Sequence, residues 1–142
     1  MIDALTSPYG VLLLRWSLGA LFVAHALYKW RVDTIPGVIA FFESIGLPGW
    51  TAYATIAVEL TGAVCLIVGI CPRYVALLLM PTMIGTIVKV HGKNGWRFTN
   101  KGGGWEYPAF WTAALLAVFL LGDGAVTLVA SPPLSGLLLG RQ

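Results

Sequence analysis

The chain has 142 residues, of which 58% are hydrophobic and 11% charged, and its mean hydropathy is +0.82. Soluble domains carry about 25% charged residues, so this composition excludes a water-soluble globule and specifies an all-α integral membrane protein. The net charge of +3 and the pI of 9.1 suggest a nucleic-acid footprint. However, the basic residues lie in loops beside apolar stretches, where Lys and Arg set orientation in a bilayer, and no nucleic-acid partner is expected.

The opening "MIDALTSPYG" holds no Lys or Arg and includes Asp3, so it lacks the basic region of a secretory signal. The first apolar stretch, 11–29, is therefore expected to be retained as a membrane span. It contains "LRWSLGALFVAHALYKW", with Arg15, His25 and Lys29. On a wheel of about 100° per residue, with Arg15 at 0°, Gly19 falls near 40°, Phe22 near 340°, Lys29 near 320° and His25 near 280°. The ionisable groups share about one third of the circumference, leaving Leu12, Leu14, Leu18 and Leu21 to cover much of the rest toward lipid. Charge confined to one side of a spanning helix must face the bundle interior or a wet cavity.

Loop one follows, with "IPGVIAFFESIGLPGW" between two Pro-Gly pairs. Ile35, Val38, Ile39 and Phe42 recur at helical spacing, which predicts a short interfacial or re-entrant helix. The second span, 52–70, carries a single acid, Glu59. A buried carboxylate needs a partner or a proton, and either His25 or, through water, Arg15 is within conceivable reach. Pro72 marks the turn into the third span, 74–91, which ends at His91. Loop three, "GKNGWRFTNKGGGWEY", is basic and glycine-rich, and Glu106 opens the fourth span, 107–121, where a carboxylate suits a helix N-terminus. The tail "AVTLVASPPLSGLLLGRQ" has apolar runs too short for a fifth span and is expected along the bundle or the membrane surface.

The expected architecture is a single membrane domain, 1–142: a four-transmembrane-helix bundle with the extra helix in loop one. Trp30, Trp50, Trp96, Trp105 and Trp111 are assigned to the loop-one/loop-three face as an interfacial belt, with Trp16 nearer the other. That face also holds Lys29, Arg31, Lys89, Lys93, Arg97 and Lys101, against Arg73 and Arg141 opposite, so the large loops are expected in the cytoplasm. His25, Lys29, Glu59, His91 and Glu106 are expected to converge at similar depth near it. His25, Glu59, His91 and Glu106 are the candidate catalytic groups, able to donate or relay protons, with Arg15, Lys29, Trp105 and Tyr107 as binding residues. Cys65 and Cys71 form no C-x-x-C and read as packing residues, and no tight ligand spacing supports a metal site.

The order LR-x-x-x-G-x-x-F-x-x-H-x-x-x-K at 14–29 resembles the DoxX family. So do "GLP" at 46–48, "VELTGAVCLIVGICPR" at 58–73 and "GGGWEY" at 102–107, although "HAL" at 25–27 and "GDG" at 122–124 depart from the pattern. The resemblance implies a small multi-pass protein of a bacterial or archaeal plasma membrane, related to a subunit of a thiosulfate:quinone oxidoreductase. Its characteristic positions fall on Arg15, His25, Lys29, Glu59, Gly62, Arg73, His91, Glu106 and Tyr107. A quinone-linked redox subunit is the favoured reading; the chain has no electron-cofactor motif, so electrons come from a partner or a small reductant. The alternative is a non-catalytic anchor or assembly subunit, with loop 92–106 docking a soluble oxidoreductase. Lesser alternatives are a single b-type haem between His25 and His91, or a transporter, which at this length would need a homo-oligomer.

Overall fold

The computed structural model describes residues 3–134. Five α-helices account for most of them: α1 (Ser7–Arg31), α2 (Ile35–Ser44), α3 (Trp50–Val68), α4 (Pro72–Thr86) and α5 (Glu106–Leu121). α4 continues through a π-helical turn, Ile87–His91, into a 3₁₀ turn, Gly92–Asn94. α1, α3 and the continuous run Pro72–Asn94 are long and apolar enough to cross a membrane. α5 has 16 residues. At 1.5 Å per residue it reaches about 24 Å, short of the about 30 Å hydrocarbon layer, so three helices meet the length criterion where four crossings were expected.

The helix boundaries follow local chemistry. Pro8 sits in the first turn of α1, where its missing N–H costs nothing. The Thr34 hydroxyl accepts from Gly37 N to cap α2. Gly69, left-handed at φ 83°, ends α3. Pro72 then opens α4.

α1 packs on α3 and α5, and α4 on the same two helices, which closes a four-helix ring; α2 lies against α3 and the adjoining part of α1. The buried residues of α1 are Val11, Leu12, Arg15, Leu18, Gly19, Phe22 and Ala26. They occupy an arc of roughly 120° centred on Arg15. Leu12 and Leu18 therefore belong to the core, not to the lipid face expected of them; at near 300°, Leu18 lies between His25 and Lys29 on the inward stripe. Leu21 is exposed, as expected. In α2, Val38 is buried and Ile35, Ile39 and Phe42 are half-buried, which seats the predicted stripe against the bundle.

Trp111 also departs from expectation. It is 4% exposed, inside the core with Phe22, Leu66, Leu79 and Leu115, rather than in an interfacial belt. The spacing Trp111, Ala114, Leu115, Val118 is the i, i+3, i+4, i+7 pattern of a buried face. Close helix approach depends on small residues: a Cβ on Gly62 of α3 would stand 2.7 Å from Leu79 Cδ2 of α4.

After α5 the chain turns back across the end of the bundle remote from the loops. Leu128 N and Val129 N donate to Gly69 O, Cys71 N donates to Val129 O, and Ala125 N donates to Pro8 O. The Tyr74 hydroxyl donates to Pro132 O. Asp123 accepts from the backbone N–H of Arg73 and from Ser131, capping the start of α4 from a distant part of the chain. The tail thus lies against the bundle as far as it is described; 135–142 fall outside the described residues.

Arg15 fastens this segment. Its side chain is fully buried, Nη1 donates to Asp123 O at 2.7 Å, and Nη2 donates to Val126 O at 2.7 Å and Ala125 O at 3.3 Å. The guanidinium fork suits several carbonyls at once. Arg15→Leu is expected to lower stability by about 2–4 kcal/mol, from loss of hydrogen bonds to a charged donor. Arg15→Lys, which can restore some of those bonds, should fall between. Thermal unfolding in detergent, with limited proteolysis at 122–131, checks the order; equal stability of wild type and Arg15→Leu would show that the clasp is dispensable.

Candidate functional site

At the loop-bearing end, α1 and α3 are joined by a charge pair. Lys29 Nζ donates to Glu59 Oε1 at 2.8 Å and Oε2 at 2.7 Å. The Glu59 side chain is 1% exposed and that of Lys29 is 19% exposed. Lys29 is two residues from the end of a 25-residue helix, so its long stem can reach inward while keeping partial contact with the headgroup region. Glu59 lies on the buried side of α3 with Gly62, Ala63 and Leu66, one turn before Ala63, whose backbone meets Gly19 of α1.

His25 stands one turn before Lys29, at the rim of the buried arc, and is exposed. Its ring meets Trp111 of α5 edge to face, with centroids 5.3 Å apart at 88°. Trp111 in turn packs against Phe22 at 4.8 Å and Tyr107 at 5.6 Å. The result is an aromatic cluster bridging α1 and α5.

Below that cluster a cavity of about 110 Å³ lies between the two helices. Leu14, Ser17, Leu18 and Leu21 form one wall, and Tyr107, Phe110, Trp111 and Ala114 the other. Along α1 the wall continues at helical steps into His25 and then Lys29, so an apolar slot leads to a histidine and an ion pair. Tyr107 and Phe110 also border a shallower groove of about 500 Å³ with Trp96, Glu106, Ala109 and Ala113.

His91 is held by loop three. Its Nδ1 lies 3.2 Å from Gly102 O and 3.0 Å from Gly103 O. Both neighbours are acceptors, so Nδ1 carries the proton and donates; in the neutral ring Nε2 is then the free base. Asn94 Nδ2 donates to the same two carbonyls, each at 2.9 Å. A glycine makes this approach possible: a Cβ on Gly103, which sits at φ 74°, would stand 3.2 Å from His91 Cε1 and Nδ1. The π-helical turn that ends at His91 is a helix irregularity of the kind concentrated at functional sites.

The structure therefore brings together Lys29 and Glu59, with His25 beside them and His91 within electrostatic reach. Glu106 sits at the start of α5 on the outer groove, and Trp105 packs on Trp96 with ring centroids at 4.5 Å; Tyr107 bridges both grooves. Arg15 stands apart at the other end, bonded to the 123–126 segment, and the Glu59 carboxylate is taken by Lys29 rather than by Arg15 or His25. Trp111 and Asn94 join the site although the sequence reading did not select them for it. The helical spacing of Trp111 was a usable signal; a lone Asn in a glycine-rich loop gave none.

Removing one partner of a buried pair leaves an uncompensated charge. Lys29→Met is expected to lose about 3–5 kcal/mol, and the double change Lys29→Met/Glu59→Met to recover much of it. Unfolding temperatures of the four proteins of this cycle, in one detergent, measure the coupling. Additive losses would mean that the pair is not coupled in the folded protein.

Comparisons with known proteins bear on the same region. A family model described as DoxX matches residues 10–92. That range contains Arg15, His25, Lys29, Glu59 and His91 and stops short of Trp105, Glu106 and Tyr107. The Bacillus subtilis (strain 168) protein named "Putative oxidoreductase CatD" is 43% identical over 81 residues, covering 57% of this chain and 59% of that protein. No solved structure matches the chain. With the family model covering more than half of its length and apolar helices long enough to cross a bilayer, the chain belongs to the DoxX family of membrane proteins.

Proposed function

We propose that this DoxX protein is a quinone-linked redox subunit of a bacterial or archaeal plasma membrane, with four helices crossing the bilayer and the loop-bearing face in the cytoplasm. The observation that carries the reading is the apolar slot between α1 and α5, which leads to His25, Trp111 and the Lys29–Glu59 pair. A quinone headgroup is a flat ring that enters from lipid, and it requires proton carriers and hydrogen-bond donors near its oxygens. A cavity of about 110 Å³ is of the order of a single ring, and its walls are apolar on both helices.

Bound there, a quinone would accept two electrons and two protons. The chain's own part is to hold the ring and manage the protons. His25, on the rim and edge-on to Trp111, exchanges protons with the loop-side water. His91, its Nδ1–H held by Gly102 and Gly103, offers Nε2 as a second proton-carrying position. The Lys29–Glu59 pair sets an ammonium and a carboxylate in the bundle, one turn along α1 from His25. The electrons come from a partner oxidoreductase; the CatD name describes an oxidoreductase among the relatives of this chain.

A second reading is favoured by loop three. Its backbone is tied by Asn94, Asn100 and His91, while Lys93, Arg97 and Lys101 are exposed beside exposed Trp96 and Phe98. An ordered, basic and aromatic surface suits an acidic soluble partner, and on this reading the chain is the membrane anchor of that partner.

Protein purified in mild detergent should carry about one quinone per chain, recovered by solvent extraction and chromatography, and His25→Ala should lose most of it while retaining its fold. A Soret band in the dithionite-reduced spectrum would move the assignment to haem. Quinone-free protein that retains a soluble partner would make the chain an anchor.

A further inference from the structure

We propose that the groove beside the start of α5 is a binding site for the phosphoethanolamine headgroup of a bilayer lipid, with Glu106 receiving its ammonium group. This site is distinct from the inner slot and does not depend on the quinone reading. Glu106 opens α5 at the loop-bearing end, and its backbone N–H donates to Trp96 O at 3.0 Å, which fixes loop three against the helix. Its half-buried carboxylate borders the groove of about 500 Å³. No side chain among the described residues pairs with that carboxylate; the ion pair they form is Lys29–Glu59. Its donors therefore come from water or from a ligand.

The walls of the groove decide the charge of its occupant. Trp96, Tyr107 and Phe110 stand around it, all of them exposed, Phe110 by 74%. Trp96 is braced by Trp105, edge to face with ring centroids 4.5 Å apart. The face of an aromatic ring attracts a cation, as a carboxylate does, and both disfavour an anion. A neutral apolar molecule would meet the rings but offer the carboxylate nothing.

What continues from the groove makes that cation the head of a lipid. Along α5, Glu106, Phe110, Ala113 and Leu120 fall within about 80° of one another, and the last three are exposed. In a membrane protein such a stripe meets acyl chains, with its charged end at headgroup level. Loop three, which contributes Trp96, also presents Lys93, Arg97 and Lys101, all exposed. They suit the phosphate ester that accompanies the ammonium in a zwitterionic head. A primary ammonium carries three N–H groups for Glu106, whereas trimethylammonium carries none, so ethanolamine is selected over choline.

The test uses the full chain in mild detergent, titrated with phosphatidylethanolamine, phosphatidylcholine and phosphatidylglycerol of identical acyl chains, with bound lipid counted by native mass spectrometry. The wild type should bind phosphatidylethanolamine most tightly. Glu106→Gln should weaken that binding about tenfold, the size of one charge-assisted hydrogen bond, and should not weaken binding of phosphatidylglycerol. Phosphatidylethanolamine binding unaltered in Glu106→Gln would overturn the assignment. Choline lipid bound as tightly as ethanolamine lipid would overturn it as well, because N–H donation would then not be read. A preference for phosphatidylglycerol would replace it with an anion site on the basic loop. Should Glu106→Gln not fold, the wild type decides with mono- and dimethylated phosphatidylethanolamine: affinity should fall with each N–H replaced, and a flat series counts against the proposal.

Discussion

The buried guanidinium of Arg15 sets the conditions for much of this fold. A cation in the interior of a membrane bundle must be surrounded by acceptors, and the described helices bring no carboxylate to it. The chain answers with backbone carbonyls, which are available only where a segment is not helical. Residues 123–126 therefore cross the end of the bundle in open conformation, with Gly122 and Gly124 at positive φ on either side of Asp123. The same excursion lets Asp123 cap α4 and lets Val129 pair with the α3–α4 turn. One buried charge thus ties α1, the turn between α3 and α4, and the end of α5 into a single unit.

Glu59 meets the same constraint differently. It lies in a regular helix, where every carbonyl and N–H is already used, so its partner has to be a side chain from another helix. Lys29 can fill that role because it is close enough to the membrane surface to arrive charged and long enough to reach inward. The two solutions have different consequences for function. The Arg15 end is closed, with the guanidinium inaccessible and the chain folded over it. The Lys29 end is partly open, with His25 exposed beside the pair and His91 near it. Proton exchange requires access as well as charge, which places the candidate chemistry at the second end.

How far this was legible in the sequence follows from the same physics. The charge stripe of α1, the helix in loop one and the break at Pro72 were readable because they depend on local spacing. Leu12 was misassigned because the buried arc extends beyond the charge stripe, to about 60° past Arg15, whereas Leu18 stood on the stripe itself and was read by its apolar type instead of its angle. The partner of Glu59 was not legible, since it depends on the relative depth of two helices and on a side-chain stem rather than a register. Nor were the carbonyl ligands of Arg15, because a carbonyl has no sequence signature. Trp111 was taken for an interfacial anchor by residue type, although its spacing with Ala114, Leu115 and Val118 placed it inward.

That last distinction matters for how the α1–α5 interface is understood. An interfacial tryptophan keeps its N–H in the headgroup region and needs nothing from the protein. A tryptophan turned into the core brings a donor into a place where neighbouring helices have already satisfied their own polar groups. Around Trp111 the neighbours are Phe22, Tyr107 and an exposed His25, and the adjoining cavity is walled by leucines, alanine and phenylalanine. A cavity-filling hydrophobic side chain would pack such a site without leaving a donor unpaired. The indole is held there by its ring, against Phe22 and His25 of α1 and Tyr107 of its own helix, so aromatic contacts pack the α1–α5 interface, whereas a glycine, Gly19, lets α1 and α3 approach.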